Sequence, residues 1–324
     1  MWSDFQSPMQ HDLLPTIPGY SWRALNSADI PALIRFELDC SRLDGATNLI
    51  GEAEWAEKLE NAVDSVVAIN ANGEIAAAGI IEDAPGAGTD RAFLDGRVHP
   101  DYRGQGVGSA LLAWLEAEAS AHLLAKDSDL PKVIRIMFWD RADDATTLFE
   151  QHGFEFHYIE EEMRVDLQEP RPDLPLPSGL SVVLWSPENA AEFYTVYRGA
   201  YGTRTENPLS ESDWTLYWAN PDDPEFHREL TFLVRDGDEP AAFCVGHVYE
   251  ADEASVGQFG VRPAWRGRGL GTALLVEALN RFAADGYRYG ALTVNINNPN
   301  ARRLYERAGF RLAKRFTMYR KIIG

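Results

Sequence analysis

Nearly the same ten-residue phrase occurs twice in this chain, as RGQGVGSALL at residues 103–112 and as RGRGLGTALL at residues 266–275. The two copies match at seven of ten positions and lie 163 residues apart. A second pair lies downstream, ATTLFEQHGF at 145–154 and ARRLYERAGF at 301–310, with five matches of ten at a separation of 156 residues. A repeat that keeps the order and nearly the separation of two motifs indicates two similar domains in tandem.

The junction between the repeats is predicted at residues 168–179, QEPRPDLPLPSG, because its four prolines disfavour helix and favour an extended linker. This places an N-terminal domain at residues 1–167 and a C-terminal domain at residues 180–324. The chain has 324 residues, of which 45% are hydrophobic, so each domain can bury a core of its own.

Both halves show the same order of predicted elements. In the first half these are a strand, two helices near residues 28–39 and 52–61, a hairpin turned by Asn72-Gly73, a further strand, the glycine phrase with the helix that follows it, and then strand, helix and strand. The second half repeats this order. Each half is therefore predicted as a mixed sheet flanked by helices, in the α/β (α+β) class.

The glycine phrase predicts an anion-binding loop. A strand, then Gly267, Gly269 and Gly271, then a helix leaves the first backbone N–H groups of the helix without partners, at the positive end of the helix dipole. Glycine lets a phosphate approach the backbone closely. The spacing GxGxG is neither the GK[ST] ending of a P-loop nor the GxGxxG of a Rossmann fold.

The charge distribution argues against a nucleic-acid partner, which requires a basic face, because the formal charge is −20. Residues 1–167 carry 30 acidic and 12 basic side chains, a formal charge of −18, whereas residues 168–324 carry only −2. A polyanionic ligand therefore meets the smaller electrostatic penalty in the second half.

The composition also predicts a cytoplasmic protein without a membrane partner. No apolar run is long enough to span a membrane, and the N-terminal sequence MWSDFQSPMQHDLLP has neither a basic start nor an apolar signal core. Cys40 and Cys244 are the only cysteines, and both are predicted to be buried packing residues. No metal site is predicted.

The two motifs resemble those of the GNAT superfamily of acyl-CoA N-acyltransferases. R-x-x-G-x-G after a strand that ends Val261-Arg262-Pro263 is similar to the superfamily's pyrophosphate loop, and residues 298–310 are similar to its N-x-x-A-x-x-L-Y-x-x-x-G-F segment. The resemblance implies two tandem GNAT-like domains, each with a mixed, mostly antiparallel twisted sheet, and acetyl-CoA (coenzyme A) as cofactor. It implies that the coenzyme contacts in the second half are Val261, Arg266, Gly267, Arg268, Gly269, Leu270, Gly271, Thr272 and Asn298.

The first half resembles the same family with losses. Its loop keeps four of the implied coenzyme contacts, namely Arg103, Gly104, Gly106 and Gly108. However, the asparagine position holds Ala142 and the tyrosine position holds Phe149. The N-terminal domain is therefore expected to be catalytically degenerate, and the C-terminal domain is expected to be the catalytic one.

The resemblance implies direct transfer of an acetyl group from its thioester to an amine held in the same cleft. The departing thiolate needs a proton, and Tyr305 is the expected donor because a phenol stays protonated at neutral pH. The amine must lose a proton, and the candidate bases are Glu253 and His247, with Glu250 as a rival. In tandem proteins of the mycothiol synthase type a glutamate stands where this chain has Ser255; Glu253 shares that side of the strand about 7 Å away.

Residues 201–226 are predicted to roof the acceptor. Their carboxylates would attract a cationic amine, and they are Glu206, Glu211, Asp213, Asp222 and Asp223. Trp214 is predicted to be a core residue because it shares a helical face with Tyr217 and Trp218. The expected function is acetyl-CoA-dependent N-acetylation of a small-molecule amine. The alternatives are a mycothiol synthase acting on a cysteinyl pseudodisaccharide, and a non-catalytic acyl-CoA sensor or scaffold.

Overall fold

The computed structural model describes residues 14–44, 50–83, 88–139, 143–202 and 209–324. The chain divides into two compact units, Met1–His157 with Thr317–Gly324, and Tyr158–Phe316. This division differs from the predicted domain limits because the last residues of the chain pack in the first unit, where Tyr319 is part of the hydrophobic core. The limits 1–167 and 180–324 stay a prediction about the repeated sequence.

The first unit follows the predicted order of elements. Its strands are β1 (Tyr20–Arg23), β2 (Ala62–Asn70), β3 (Ile75–Asp83), β4 (Asp90–Val98) and β5 (Lys132–Trp139), and its helices are α1 (Ile30–Asp44), α2 (Glu52–Asn61), α3 (Val107–Leu124) and α4 (Asp143–Gln151). Strands β1 to β4 pair antiparallel in chain order, and β5 pairs parallel with β4. The predicted hairpin turn is confirmed, since Gly73 has φ +82° between β2 and β3.

The second unit repeats this arrangement. Most of β6 (Glu155–Asp166) belongs to it, followed by strands β7 (Leu180–Leu184), β8 (Phe232–Asp236), β9 (Glu239–Glu250), β10 (Glu253–Val261) and β11 (Tyr289–Asn295), by helices α5 (Ala190–Tyr201), α6 (Glu211–Trp218), α7 (Leu270–Ala284) and α8 (Pro299–Arg307), and by the start of β12 (Arg311–Ile323). Strands β7 to β10 pair antiparallel, β11 pairs parallel with β10, and β6 pairs antiparallel with β11. The predicted mixed, mostly antiparallel sheets flanked by helices are confirmed.

Both faces of the second sheet are buried, and alternate residues of β9 belong to different hydrophobic cores, one on each face. Cys244 packs in the core beneath α7 and α8, which we call the α7 face. Phe243 and Val245 pack in the other core with α5 and α6, which we call the α6 face. Along a strand, successive side chains point to opposite faces, so the register of β9 and β10 assigns each site residue to one face.

Three smaller expectations concern the linker, the cysteines and Trp214. Residues 168–179 are all described and contain neither helix nor strand. Cys40 and Cys244 are both buried and unpaired, and Trp214 is fully buried, as predicted. Across the described residues, the longest and most apolar helices fall short of what a membrane crossing requires.

Candidate active site

The glycine loop of the second unit joins the end of β10 to the start of α7. Gly267 and Gly269 have φ +75° and +81°, and Gly269 is the residue that precedes the first helical turn. A Cβ atom built on either glycine would have no neighbour within 4 Å, so open space lies beside both. The first N–H groups of a helix lack partners within the helix. The loop therefore fits a pyrophosphate group.

The third glycine of the loop, Gly271, is required by helix packing. A Cβ atom on Gly271 would lie 2.9 Å from the Cδ1 atom of Leu304, so this glycine lets α7 and α8 pack closely. The backbone N–H of Thr272 already donates to the carbonyl of Gly269 at 3.1 Å. Leu270 is buried in the core beneath α7. Leu270, Gly271 and Thr272, which are predicted coenzyme contacts, thus also have structural roles in α7.

The two arginines of the loop differ in surroundings. Arg266 donates from Nε to the carbonyl of Val261 at 2.8 Å and from Nη2 to the carbonyl of Ala200 at 2.9 Å. It therefore ties the loop to the end of β10 and to α5. Arg268 lies between the two positive-φ glycines and is exposed, which places a cation beside the proposed phosphate position.

Strand β10 separates from β11 and bulges at the same place. The parallel pairing runs from Glu253 opposite Tyr289 to Val256 opposite Leu292, although β10 continues to Val261. Against β9, Val256 lies opposite Gly246 while Gln258 lies opposite the next residue, Val245, so Gly257 is an extra residue. Bulges of this kind re-aim the side chains that follow them.

Tyr305 lies on α8 against the α7 face, where its side chain is 7% exposed. Its ring centroid is 5.7 Å from that of Phe259 on β10 and 6.2 Å from that of Phe310. Burial raises the pKa of the Tyr305 hydroxyl above its usual range, with Tyr201 and Cys244 adding to the effect. The hydroxyl therefore keeps its proton at neutral pH.

Asn298 forms the N-terminal cap of α8. Its Oδ1 atom accepts a hydrogen bond from the backbone N–H of Ala301 at 3.3 Å. The side-chain oxygen thus fixes the start of the helix that carries Tyr305.

His247 lies on the α6 face, where it is opposite Ser255 in the pairing of β9 with β10. It is 2% exposed, and its ring is surrounded by Trp218 at 6.1 Å, Phe226 at 6.1 Å and a stacked Tyr249 at 5.7 Å between centroids. Its buried Nδ1 atom has no hydrogen-bond partner within the described parts of the chain. Burial lowers its pKa, so the ring is neutral at neutral pH.

The bulge residue Gly257 lies beside His247, next to the point where the pairing of β10 with β11 ends. A Cβ atom on Gly257 would lie 2.4 Å from His247 Nδ1 and 3.3 Å from Trp218, so only glycine fits between the strand and these rings.

Glu253 is placed differently. It starts β10, four residues before Gly257 and thus about 13 Å along the strand. Its Oε2 atom is 2.5 Å from Nε of Arg164, whose guanidinium lies 3.7 Å from the ring centroid of Tyr289. Burial raises the pKa of Glu253, and Arg164 opposes this rise. Glu250, the rival base, is an exposed residue opposite Glu253. The structure therefore brings His247 to the strand separation but not these two carboxylates.

The loop of the first unit has the same backbone form. Gly104 and Gly106 have φ +71° and +83°, with open space beside both. Arg103 donates from Nε to the carbonyl of Val98 at 3.1 Å, as Arg266 does to Val261, and its other nitrogens bind Asp44 at 2.7 and 2.8 Å. Gly108 would meet only ordinary contacts at 3.5 Å or more.

The first unit differs from the second at the positions that match Tyr305 and the bulge of β10. Phe149 packs among aromatic rings and has no hydroxyl group. The pairing of β3 with β4 runs without a register shift from Ala77 opposite Val98 to Asp83 opposite Ala92, so β4 has no bulge there. Ala142 and Glu206, two residues singled out in the sequence, lie outside the described residues.

Two features of the site were missed by the sequence reasoning. One is the extra residue Gly257. The other is a hydrogen bond of 2.6 Å from Nε1 of Trp214 to Oε1 of Gln258. The offset between the repeats gives no signal for the first, because β4 and β10 both have 9 residues and both their first and their last residues lie 163 positions apart.

Residues 191–310 match the acetyltransferase (GNAT) family, and residues 62–156 match an acetyltransferase (GNAT) domain. A mycothiol acetyltransferase of Clavibacter michiganensis is 30% identical over 230 residues, covering 69% of this chain and 70% of that protein. A mycothiol acetyltransferase of Geodermatophilus obscurus is 29% identical over 310 residues, covering 88% and 92%. The crystal structure of a GCN5-related N-acetyltransferase from Sphaerobacter thermophilus superposes with a TM-score of 0.80 at 26% identity, covering 96% and 97%.

These matches agree with the repeated motifs, since one GNAT match falls in each half of the chain. The expected enzyme class is confirmed: the protein is an acyltransferase that uses acetyl-CoA as acetyl donor and an amine-type small molecule as acceptor. With two GNAT domains in tandem, the chain belongs to the acetyltransferase (GNAT) family.

Proposed function

We propose that the second unit is the catalytic centre of this acetyltransferase, with Tyr305 as acid, His247 as base and a cationic small-molecule amine as acceptor. One observation carries the proposal. Along β10 the strand first bulges and separates from β11 at Gly257 and then runs into the open glycine loop, with Tyr305 against one face and His247 against the other. The groups proposed to bind acetyl-CoA, to protonate the departing thiolate and to deprotonate the amine thus all lie along β10.

The coenzyme would be held by the backbone of Gly267 and Gly269, with Arg268 beside it. The open space next to both glycines fits a pyrophosphate, and the helix dipole of α7 favours negative charge there. When bound, acetyl-CoA supplies the acetyl group as an activated thioester.

Tyr305 is suited to hold a proton for the departing sulfur. A phenol is protonated at neutral pH even without the rise in pKa that burial causes, and the place of Tyr305 on α8 is fixed by the Asn298 cap and by contact with Phe259. The task of Tyr305 is to deliver a proton to a thiolate as it forms.

His247 is the better-placed base. Its lowered pKa leaves the ring neutral, and its Nδ1 atom is buried without a described partner beside the strand separation. An amine enters as ammonium, and a neutral imidazole can accept its proton. Glu253 is already paired with Arg164, so it supports the strand end as an ion pair.

The surroundings of His247 favour a cationic acceptor. Trp218, Phe226 and Tyr249 offer aromatic faces and edges around the ring, and aromatic faces attract ammonium groups. Asp223 and Glu225 add negative charge: Asp223 opposes the lowering of the His247 pKa by burial, and both carboxylates add to the rise that burial causes in the pKa of Tyr249. We infer that this acidic aromatic wall receives the ammonium form of the acceptor.

A second candidate function is mycothiol synthesis, with the amine of a cysteinyl pseudodisaccharide as acceptor. The relatives named mycothiol acetyltransferase favour it. Proteins of the mycothiol synthase type are expected to carry a glutamate at the position of Ser255. A mycothiol synthase with serine there needs a different base, and we propose His247, which lies directly opposite Ser255. The proposed compartment is the cytoplasm, because two buried unpaired cysteines suit reducing conditions.

The test is a thiol-release assay with acetyl-CoA and a panel of primary amines that includes the cysteinyl pseudodisaccharide. We expect turnover with cationic amines and none with anilines, which are neutral at pH 7. Preference for the pseudodisaccharide over simple amines by about 10²-fold or more, roughly 2.7 kcal/mol, would select the second candidate. Equal rates with neutral and cationic amines would contradict the proposed acceptor class.

A further inference from the structure

Gln258 is the first residue after the bulge, and Trp214 determines how its amide is oriented. The indole Nε1 atom of Trp214 lies 2.6 Å from Oε1 of Gln258. Trp214 is completely buried, where its ring stacks on Tyr197 at 5.7 Å and meets Phe243 at 5.9 Å. The indole is therefore held in place from several sides and acts as a fixed reference for the amide.

The chemistry of the two groups leaves one orientation. An indole N–H is a donor only, and in a primary amide only the oxygen accepts. Trp214 must therefore bind the oxygen of Gln258, and the NH₂ group of Gln258 is directed away from the indole. No partner for that nitrogen occurs among the residues that the structure describes. Two donor hydrogens are thus available on a half-buried side chain.

The bulge decides which face receives this amide. Before the bulge, Ala254 and Val256 pack in the core of the α7 face, and a regular strand would send residue 258 the same way. Because Gly257 is extra, Gln258 instead lies opposite Val245 on the α6 face. This is the face of His247, the proposed base.

We propose that Gln258 is a specificity-determining residue, whose oriented NH₂ group binds an oxygen atom that the acceptor carries next to its amino group. The inference rests on the proposed function of the second unit and deepens it. It narrows the acceptor class to amines with a neighbouring carbonyl or hydroxyl oxygen, such as α-amino amides and amino alcohols. A hydrogen-bonding site discriminates strongly against analogues that lack the matching atom, because its polar group is then left unpaired.

The experiment compares acceptor pairs that differ in one oxygen-bearing group, L-alaninamide with 2-aminopropane and ethanolamine with ethylamine. Thiol release from acetyl-CoA and calorimetric binding of each amine to the full chain are measured for the wild type and for Gln258→Glu and Gln258→Met. Gln258→Glu keeps an oxygen for Trp214 and removes the donor, so it separates acceptor recognition from packing. Trp55→Phe is the matched control, since Trp55 donates to Glu37 in the first unit at 3.1 Å.

We expect the wild type and Trp55→Phe to prefer the oxygen-bearing amine by about tenfold or more, and both Gln258 variants to lose this preference. The readout is the ratio of kcat/KM within each pair, because a purely structural role of Gln258 would lower both members alike and leave this ratio unchanged. An unchanged preference in Gln258→Glu would overturn the proposal, as would a wild type that binds both members of each pair equally. Oxygen-dependent binding without turnover would support Gln258 and contradict the proposed catalytic centre.

Discussion

The two units share the geometry of the glycine loop, which fits a pyrophosphate, and differ in the geometry around the proposed acid and base. In both, two glycines with φ between +71° and +83° lead into a helix, an arginine Nε binds the carbonyl at the end of the preceding strand, and the parallel pairing of that strand stops before the strand does. Within the described residues, β10 has a bulge that β4 lacks, and α8 has a tyrosine where α4 has Phe149.

The α6 face and its counterpart in the first unit show the difference most clearly. Where β9 has His247, opposite Ser255, β3 has Glu82, opposite Phe93. Where β10 has Gln258, β4 has Asp95, which binds Lys58 at 2.6 Å, and Lys58 also lies 3.4 Å from Glu82. The first unit thus has an ion-pair cluster at the positions where the second unit has His247 and Gln258. A repeat can keep its ligand loop while its reaction side changes, because one extra strand residue re-aims the side chains that follow.

The largest expected effect is a loss of turnover when the glycine loop of the second unit, but not that of the first, is blocked. Gly269→Glu should lower turnover by about 10³-fold, roughly 4 kcal/mol, because a carboxylate would stand where a phosphate binds. Gly106→Glu places the same side chain at the same φ in the first unit, so backbone strain is matched, and it should leave turnover within about twofold. Steady-state thiol release on the full chain measures both. Strong loss in Gly106→Glu, with the second loop still binding coenzyme, would contradict the assignment of catalysis to the second unit.

The next effect concerns the acid. Tyr305→Phe removes one hydroxyl from a well-packed ring, so coenzyme affinity should persist while kcat falls by about 10²-fold. Phe149→Tyr makes the reverse change at the matching position of the first unit and should not raise turnover. Near wild-type kcat in Tyr305→Phe would reduce this tyrosine to a packing residue.

The proposed base, His247, is tested by the pH dependence of kcat/KM for the amine. Burial lowers the pKa of His247, so the neutral form is present above the ordinary histidine pKa of about 6.5, and wild-type kcat/KM for the amine should be flat there up to the pKa of the amine. In His247→Gln only amine that is already neutral reacts, so kcat/KM should rise about tenfold per pH unit and lie about tenfold below wild type at pH 8. Glu82→Gln, the matched variant, should keep the wild-type profile. A flat profile in His247→Gln would point to another base.

The smallest effect concerns the third glycine of each loop. Gly108→Ala adds a Cβ atom at ordinary contact distance and should raise the free energy of unfolding by about 0.5–1 kcal/mol, since alanine favours helix. Gly271→Ala places the atom 2.9 Å from Leu304, so overpacking should cancel that gain or destabilise by about 1 kcal/mol. Urea unfolding of the full-length variants gives the difference. Equal stabilisation by both would show that α7 and α8 have room to adjust.

Short-range patterns in the sequence were sufficient for the element order, the glycine loops and the position of Tyr305 on α8. Each depends on neighbours within a few residues, such as the alternation of a strand or the glycines before a helix. The remaining features depend on distant partners. The orientation of Gln258 requires Trp214, 44 residues away, and the need for Gly271 arises from Leu304 on another helix.

The bulge at Gly257 escaped prediction for a different reason. One added residue in a strand leaves composition and hydrophobicity almost unchanged, and it reverses only the faces of the residues after it. Arg266 is likewise predicted as a coenzyme contact, but the two backbone carbonyls that its guanidinium binds are not evident from the sequence. The coenzyme and catalytic roles of the site residues stay predictions, which the matched variants above address.

The division of β12 bears on how the protein emerges from the ribosome. The first unit includes Thr317–Gly324, with Tyr319 in its core and Nζ of Lys321 2.7 Å from the carbonyl of His152. At about 5–20 residues per second, these last residues follow His157 by on the order of ten seconds or more. The second unit, which is contiguous, can be completed first. The unit that is translated first is therefore the last to close, and during that interval β5 presents an unpaired edge, the kind of edge at which chains associate.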